Sequence, residues 1–67
     1  MPLIEVTLVD GRSPEQIRSM MRAVHEAAAR TLDIESEYIN VIVRPVSSDH
    51  WSTGDVTVRE MDSSGDS

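Results

Sequence analysis

Leu3-Ile4-Glu5-Val6-Thr7-Leu8-Val9-Asp10-Gly11-Arg12-Ser13-Pro14-Glu15-Gln16 is the stretch that decides the fold. Ile4, Val6 and Leu8 alternate with Glu5 and Thr7, the two-residue period of a half-buried strand. Asp10-Gly11 then marks a turn. Ser13 to Gln16 carries four agreeing signals of a helix start. Ser13 can cap, Pro14 suits the first helical position, Glu15 complements the positive helix end, and Gln16 completes a capping box.

Working outward, the helix is expected to run to about Leu32. Ile17, Met20, Met21, Val24, Ala27, Ala28, Thr31 and Leu32 form one stripe at three-to-four-residue spacing. Arg18, Arg22, Glu26 and Arg30 mark the other side, a solvated face of mixed charge. Asp33 to Glu37 reads as a polar connection and Tyr38 to Val43 as a second strand. Ile39, Val41 and Val43 point one way, and Tyr38, Asn40, Ile42 and Arg44 the other. Pro45 ends regular pairing or places it at a sheet edge. Residues 47 to 55 form a loop, and Val56-Thr57-Val58 reads as a short strand. The order strand, helix, strand predicts an α/β fold: a β-α-β unit with parallel strands and a right-handed crossover. This domain is expected over residues 2–58. Residues 59–67, acidic and rich in Ser and Gly, are expected to be a disordered tail.

One helix covers only one face of two strands. The other face still carries Leu3, Val9, Tyr38 and Ile42, so it and the strand edges require a partner chain. Size argues the same way, because 67 residues bury too little surface to dispense with a staple. There is no cysteine, which excludes disulfides and thiolate metal sites. His25 and His50 have no ligand-spaced partner, so no metal is expected. Oligomerisation remains. The 6 basic residues, all arginine, stand against 12 acidic ones, a net charge of −6. Such a chain repels phosphate backbones, so nucleic-acid binding is not expected. No apolar run reaches membrane-spanning length and no signal region opens the chain, so a soluble cytoplasmic protein is expected.

Pro2 is the sharpest chemical signal. Removal of Met1 exposes a secondary amine at the start of a strand. An α-amino group titrates at roughly 7.7–8.0 in model peptides, and an apolar pocket or a nearby cation lowers this. Such an amine is a free base near neutrality, as general acid–base chemistry requires. Met-Pro alone is a weak signal. However, Met-Pro-Leu-Ile-x-Val-x-Leu is followed by Gly11-Arg12-Ser13 before a capped helix. Next come Ile39-Asn40-Val41-Ile42-Val43 and Asp49-His50-Trp51-Ser52-Thr53-Gly54-Asp55. This order resembles the 4-oxalocrotonate tautomerase family from Pro2 to about Asp55.

The resemblance implies β-α-β protomers that dimerise through their sheets, with three dimers forming a hexamer. It implies a tautomerase acting on a small 2-oxo acid or dienol carboxylate without a cofactor. By the resemblance, Pro2 is the proton-carrying base and Arg12 binds the substrate carboxylate. Trp51 matches an aromatic residue that walls a pocket lying between chains. Asn40 is a departure: the family's most active members have a second arginine here, which stabilises the developing enolate oxygen. Asn40 donates a neutral hydrogen bond, and charge-assisted bonds are roughly twice as strong. Arg44 lies four residues on, too far to compensate directly. Two alternatives follow. One is a hydratase, dehalogenase or decarboxylase using protonated Pro2, with Asp49 or Asp55 activating water. The other is a non-catalytic subunit of a mixed hexamer.

Overall fold

A computed structural model describes residues 1–65 of the chain. Strand β1 (Leu3–Val9) leads into helix α1 (Pro14–Leu32), and strand β2 (Asn40–Val46) returns beside β1. The two strands pair in parallel, with Leu3 opposite Asn40 and Val9 opposite Val46. The β-α-β unit expected from the period of the apolar residues is the one observed.

The start of α1 is the capping box written in its sequence. The Ser13 hydroxyl accepts from the Gln16 N–H at 3.1 Å, and the Gln16 side-chain oxygen accepts from the Ser13 N–H at 2.9 Å. The helix ends at Asp33, which adopts a left-handed φ of 56°, a conformation that the short Asp side chain tolerates better than most. Ile4, Val6 and Leu8 of β1 and Val41 and Val43 of β2 are half-buried, as are Ile17, Met20, Met21, Val24 and Ala28 of α1. Ala27, Thr31 and Leu32, placed on the same stripe by the sequence, are exposed.

The second strand differs from its expected span. Ser36–Tyr38 forms a 3-10 turn, in which the Tyr38 and Ile39 N–H groups donate to the Glu35 and Ser36 carbonyls. Pairing therefore begins at Asn40 and runs through Pro45 to Val46. Pro45 is tolerated for a geometric reason. The Asn40 N–H faces β1, so alternation turns position 45 toward the open edge, where a missing N–H breaks no ladder bond.

The expected tail is also corrected. Ser52–Thr53 (β3) and Val56–Thr57 (β4) form a small antiparallel hairpin. Gly54 occupies its first central position with a φ of +61°, as a type II′ turn requires. Val58, expected at the end of a strand, instead opens helix α2 (Val58–Gly65). Residues 59–65, expected to be disordered, are thus helical; residues 66 and 67 of that expected tail lie outside the described residues. The cause is a second capping box. The Thr57 hydroxyl accepts from the Glu60 N–H at 3.1 Å, and the Glu60 carboxylate accepts from the Thr57 N–H at 2.8 Å.

The single protomer is under-packed. Ile39, 4% exposed, is the one hydrophobic residue in the buried core among the described residues. The radius of gyration is 15.4 Å, against roughly 11 Å for a compact domain of this length. The surface is 5160 Å², whereas a folded monomer of this mass exposes roughly 4,200 Å². The face of the sheet away from α1 is open, with Leu3 at 54% and Ile42 at 41% exposure. A charge on that face opposes its coverage by another chain. Ile42→Asp is therefore expected to shift the sedimentation profile to smaller species than the wild type at equal concentration. An unchanged profile would remove this face from the interface.

Candidate active site

The two ends of the sheet carry different candidate residues. At the end where the strands begin, the Asn40 N–H donates to the Pro2 carbonyl at 3.0 Å. This bond ties the residue before β1 to the first residue of β2. Pro2 is half-buried, and Met1 before it is 89% exposed. Asn40 is the register partner of Leu3, and strand alternation puts its exposed carboxamide on the open face with Ile42. Among the described residues that carboxamide has no hydrogen-bond partner.

At the other end, Val9 runs into the turn that holds Arg12. The Asp10 N–H donates to the Val46 carbonyl at 2.7 Å, and the Asp10 carboxylate accepts from the Gly11 N–H at 3.0 Å. Gly11 has a φ of +129°, a conformation closed to residues with a side chain. Arg12 is exposed and makes no hydrogen bond or ion pair among the described residues. Its guanidinium fork is therefore available for two parallel bonds to a carboxylate.

Trp51 follows from the same end of the sheet. After β2, a 3-10 turn (Ser48–His50) is closed by the His50 N–H donating to the Ser47 carbonyl at 2.9 Å. Trp51 is half-buried, and its carbonyl accepts from the Val58 N–H at 2.8 Å. Helix α2 is thereby joined to the Trp51 loop. Arg59 strengthens the join, its Nη1 donating to both Asp49 carboxylate oxygens at 3.0 and 3.1 Å. Asp49 is thus engaged, while Asp55 is exposed in the hairpin turn.

The four candidates do not meet within one chain. Pro2 and Asn40 lie at one end of the sheet, and Arg12 and Trp51 leave from the other. Eight residue steps at about 3.3 Å each separate Pro2 from the Asp10 turn by roughly 26 Å. Sequence reading missed Arg59 and the Thr57–Glu60 box. The second was legible as Thr-x-x-Glu, the same signature that marks α1. Arg44 donates to Glu5 at 3.5 Å across the open face, so it is committed to a partner on its own sheet.

Comparison with known proteins agrees with this architecture. The family described as tautomerase enzyme matches residues 2–61, six residues beyond the resemblance read from the motifs. The 2-hydroxymuconate tautomerase of Pseudomonas fluorescens is 37% identical over 54 residues, 81% of this chain and 86% of that one. The crystal structure of TomN, a 4-oxalocrotonate tautomerase homologue of tomaymycin biosynthesis, superposes with a TM-score of 0.92 at 38% identity. That match covers 96% of this chain and 98% of TomN. A heterohexameric 4-oxalocrotonate tautomerase from Chloroflexus aurantiacus J-10-fl gives 0.86 at 33% identity, covering 91% and 98% of the two chains. The chain belongs to the tautomerase family. It is accordingly an isomerase.

The capping box at the start of α2, the helix joined to the Trp51 loop, contains a titratable group. Backbone and side-chain hydrogen bonds from Thr57 hold the Glu60 carboxyl below its ordinary value of 4.5. The folded state thus binds this proton less readily than the unfolded state. The stabilisation is complete above pH 4.5 and is lost as pH falls through the lower, folded value. Trp51 is the single tryptophan, so its emission should report loosening of the loop below pH 4.5. Glu60→Gln should remove that transition. A variant with the same transition at the same pH would show that another group causes it.

Proposed function

We propose that the chain, after removal of Met1, moves a proton within a small 2-oxo acid or dienol carboxylate. The Pro2 amine takes the proton from one atom and returns it to another. Arg12 binds the substrate carboxylate and draws electron density from the reacting carbon. The Asn40 carboxamide donates to the carbonyl or enol oxygen, and Trp51 walls the pocket and keeps water from the amine. An apolar wall disfavours the charged ammonium and so keeps the amine unprotonated near neutrality.

The observation that carries this reading is the separation of Pro2 from an unpartnered Arg12 along one strand. In a two-fold pairing of sheet edges, the strands of the two chains run antiparallel. The start of one chain's β1 is then carried toward the end of its partner's. A site assembled this way receives Pro2 from one chain and Arg12 from another, which makes assembly a condition of activity. A trimer of such dimers is the assembly of this reading. The similarity to a hexameric relative supports it. The water-activating alternative loses support because Asp49, one of its two candidate carboxylates, is held by Arg59.

The test begins with a mass measurement showing that Met1 is absent. Ketonisation of phenylenolpyruvate and of 2-hydroxymuconate is then followed by ultraviolet absorbance. A positioned acid–base group contributes roughly 10²–10⁴-fold, so Pro2→Ala should lower kcat/KM by about 100-fold or more. Equal rates in the two proteins would remove Pro2 from the mechanism. Inactivity of both, with Met1 gone, would favour a subunit without catalysis of its own.

A further inference from the structure

We propose that two chains join through the free edge of β1, in the register that sets the partner's Asp10 beside Pro2, and that this carboxylate tunes the proton affinity of the Pro2 amine. The proposal rests on the proton-transfer reading above and adds to it a positioning residue supplied by the second chain.

The two edges of the sheet are unequal. The Asn40 N–H meets the Pro2 carbonyl, and the Asp10 N–H meets the Val46 carbonyl. Alternation therefore turns the backbone groups of the even-numbered β1 residues toward β2. Those of Leu3, Glu5, Thr7 and Val9 face the free edge. The outer edge of β2 presents Val41, Val43 and Pro45, and Pro45 has no N–H to give. The edge fit to pair with a second copy is that of β1.

Side-chain matching then chooses the register. Pairing Leu3 with the partner's Val9, and Glu5 with the partner's Thr7, engages every one of the free groups. It also sets Ile4 against the partner's Leu8 and Val6 against its own copy. Sliding one strand by two residues puts Glu5 opposite the partner's Glu5, and like charges directly opposite destabilise a sheet. Sliding it the other way leaves Leu3 beyond the ladder. In the favoured register Pro2 stands opposite the partner's Asp10, in a non-hydrogen-bonded pair with Cα atoms about 4.5 Å apart. The Asp10 carboxylate is fixed at its turn by the Gly11 N–H at 3.0 Å. A negative charge there favours the ammonium form of Pro2 and opposes the partner's Arg12, which favours the free amine. The other ionisable groups toward this end of the sheet are Glu5 on the opposite face, Glu37 and Tyr38 in the 3-10 turn, and His25, bonded to Ser36 at 3.3 Å.

The chain has no cysteine, so a double variant, Leu3→Cys with Val9→Cys, reads the register. The two positions lie roughly 20 Å apart along one strand, too far for a disulfide within the chain. Mild oxidation should give a covalent dimer on a non-reducing gel. No linkage, or equal linkage in either single variant, would overturn the register. Of the 3 prolines, only Pro2 is an amine once Met1 is gone, so in protein labelled at proline nitrogen one NMR resonance titrates. Asp10→Asn keeps an acceptor for the Gly11 N–H and removes the charge. The titration midpoint should fall by about one pH unit, and the rising limb of kcat/KM against pH should move down with it. A midpoint that stays in place, or a rate lowered equally at every pH, would overturn the role of Asp10. Equal turnover by the wild type and Pro2→Ala would instead overturn the proton-transfer reading beneath it.

Discussion

The parallel pairing of β1 with β2 is the constraint on which the rest depends. Parallel strands need a crossover, and here α1 supplies it and covers one face of the sheet. Nothing among the described residues covers the other face. Two strands and one helix leave Ile39 as the sole hydrophobic residue in the buried core among the described residues. A chain without disulfides has few internal means to offset this, and an open apolar face of this kind favours coverage by another copy. The same two-stranded layout also separates the candidate residues. The same pairing puts Pro2 and Arg12 at opposite ends of one strand, so the proposed site takes the two residues from two chains.

Electrostatics follows from the small inventory of arginines. The chain is acidic and has no lysine, so each cation committed to an internal pair is lost to substrate binding. The Glu5–Arg44 and Asp49–Arg59 pairs are both substantially exposed, and exposed pairs contribute little stability. Their consequence is one of placement. Arg44 lies beside Glu5 on the open face, and Arg59 links α2 to the loop of Trp51. Arg12 stays unpaired because its turn is built by others. Asp10 holds Gly11, Ser13 holds Gln16, and the guanidinium between them is left to solvent.

The legible part of the fold was the part governed by local periodicity and capping. The alternation of Ile4, Val6 and Leu8 and the Ser13–Gln16 box place β1 and α1 with their observed starts, because those signals act over a few residues. The second strand was harder to delimit. Tyr38 is a good strand residue, yet the 3-10 bonds from Glu35 and Ser36 claim it, and pairing with β1 decides where β2 begins. Composition alone is a poor guide to the tail. Its Ser, Gly and Asp content suggests disorder, but Thr57 and Glu60 form a local cap that composition averages away. Of the candidate site, the residue types and their order were legible. Their distribution over two ends of the sheet became visible only with the register of β1 against β2.

That distribution changes the meaning of the substitution at position 40. In sequence, an asparagine where the family resemblance implies an arginine reads as a weakened catalyst. In the structure, Asn40 stands beside Leu3 and Ile42 on a face whose neighbouring arginine is already paired. A lone cation there would meet apolar neighbours and Glu5, and would need a charged substrate group to offset its desolvation. A carboxamide makes no such demand, since it is satisfied by a single neutral oxygen. The neutral residue is thus consistent with its surroundings at every level, from the apolar face to the sparse cations of the chain. Agreement of this kind across levels is expected of a selected site more than of a decayed one.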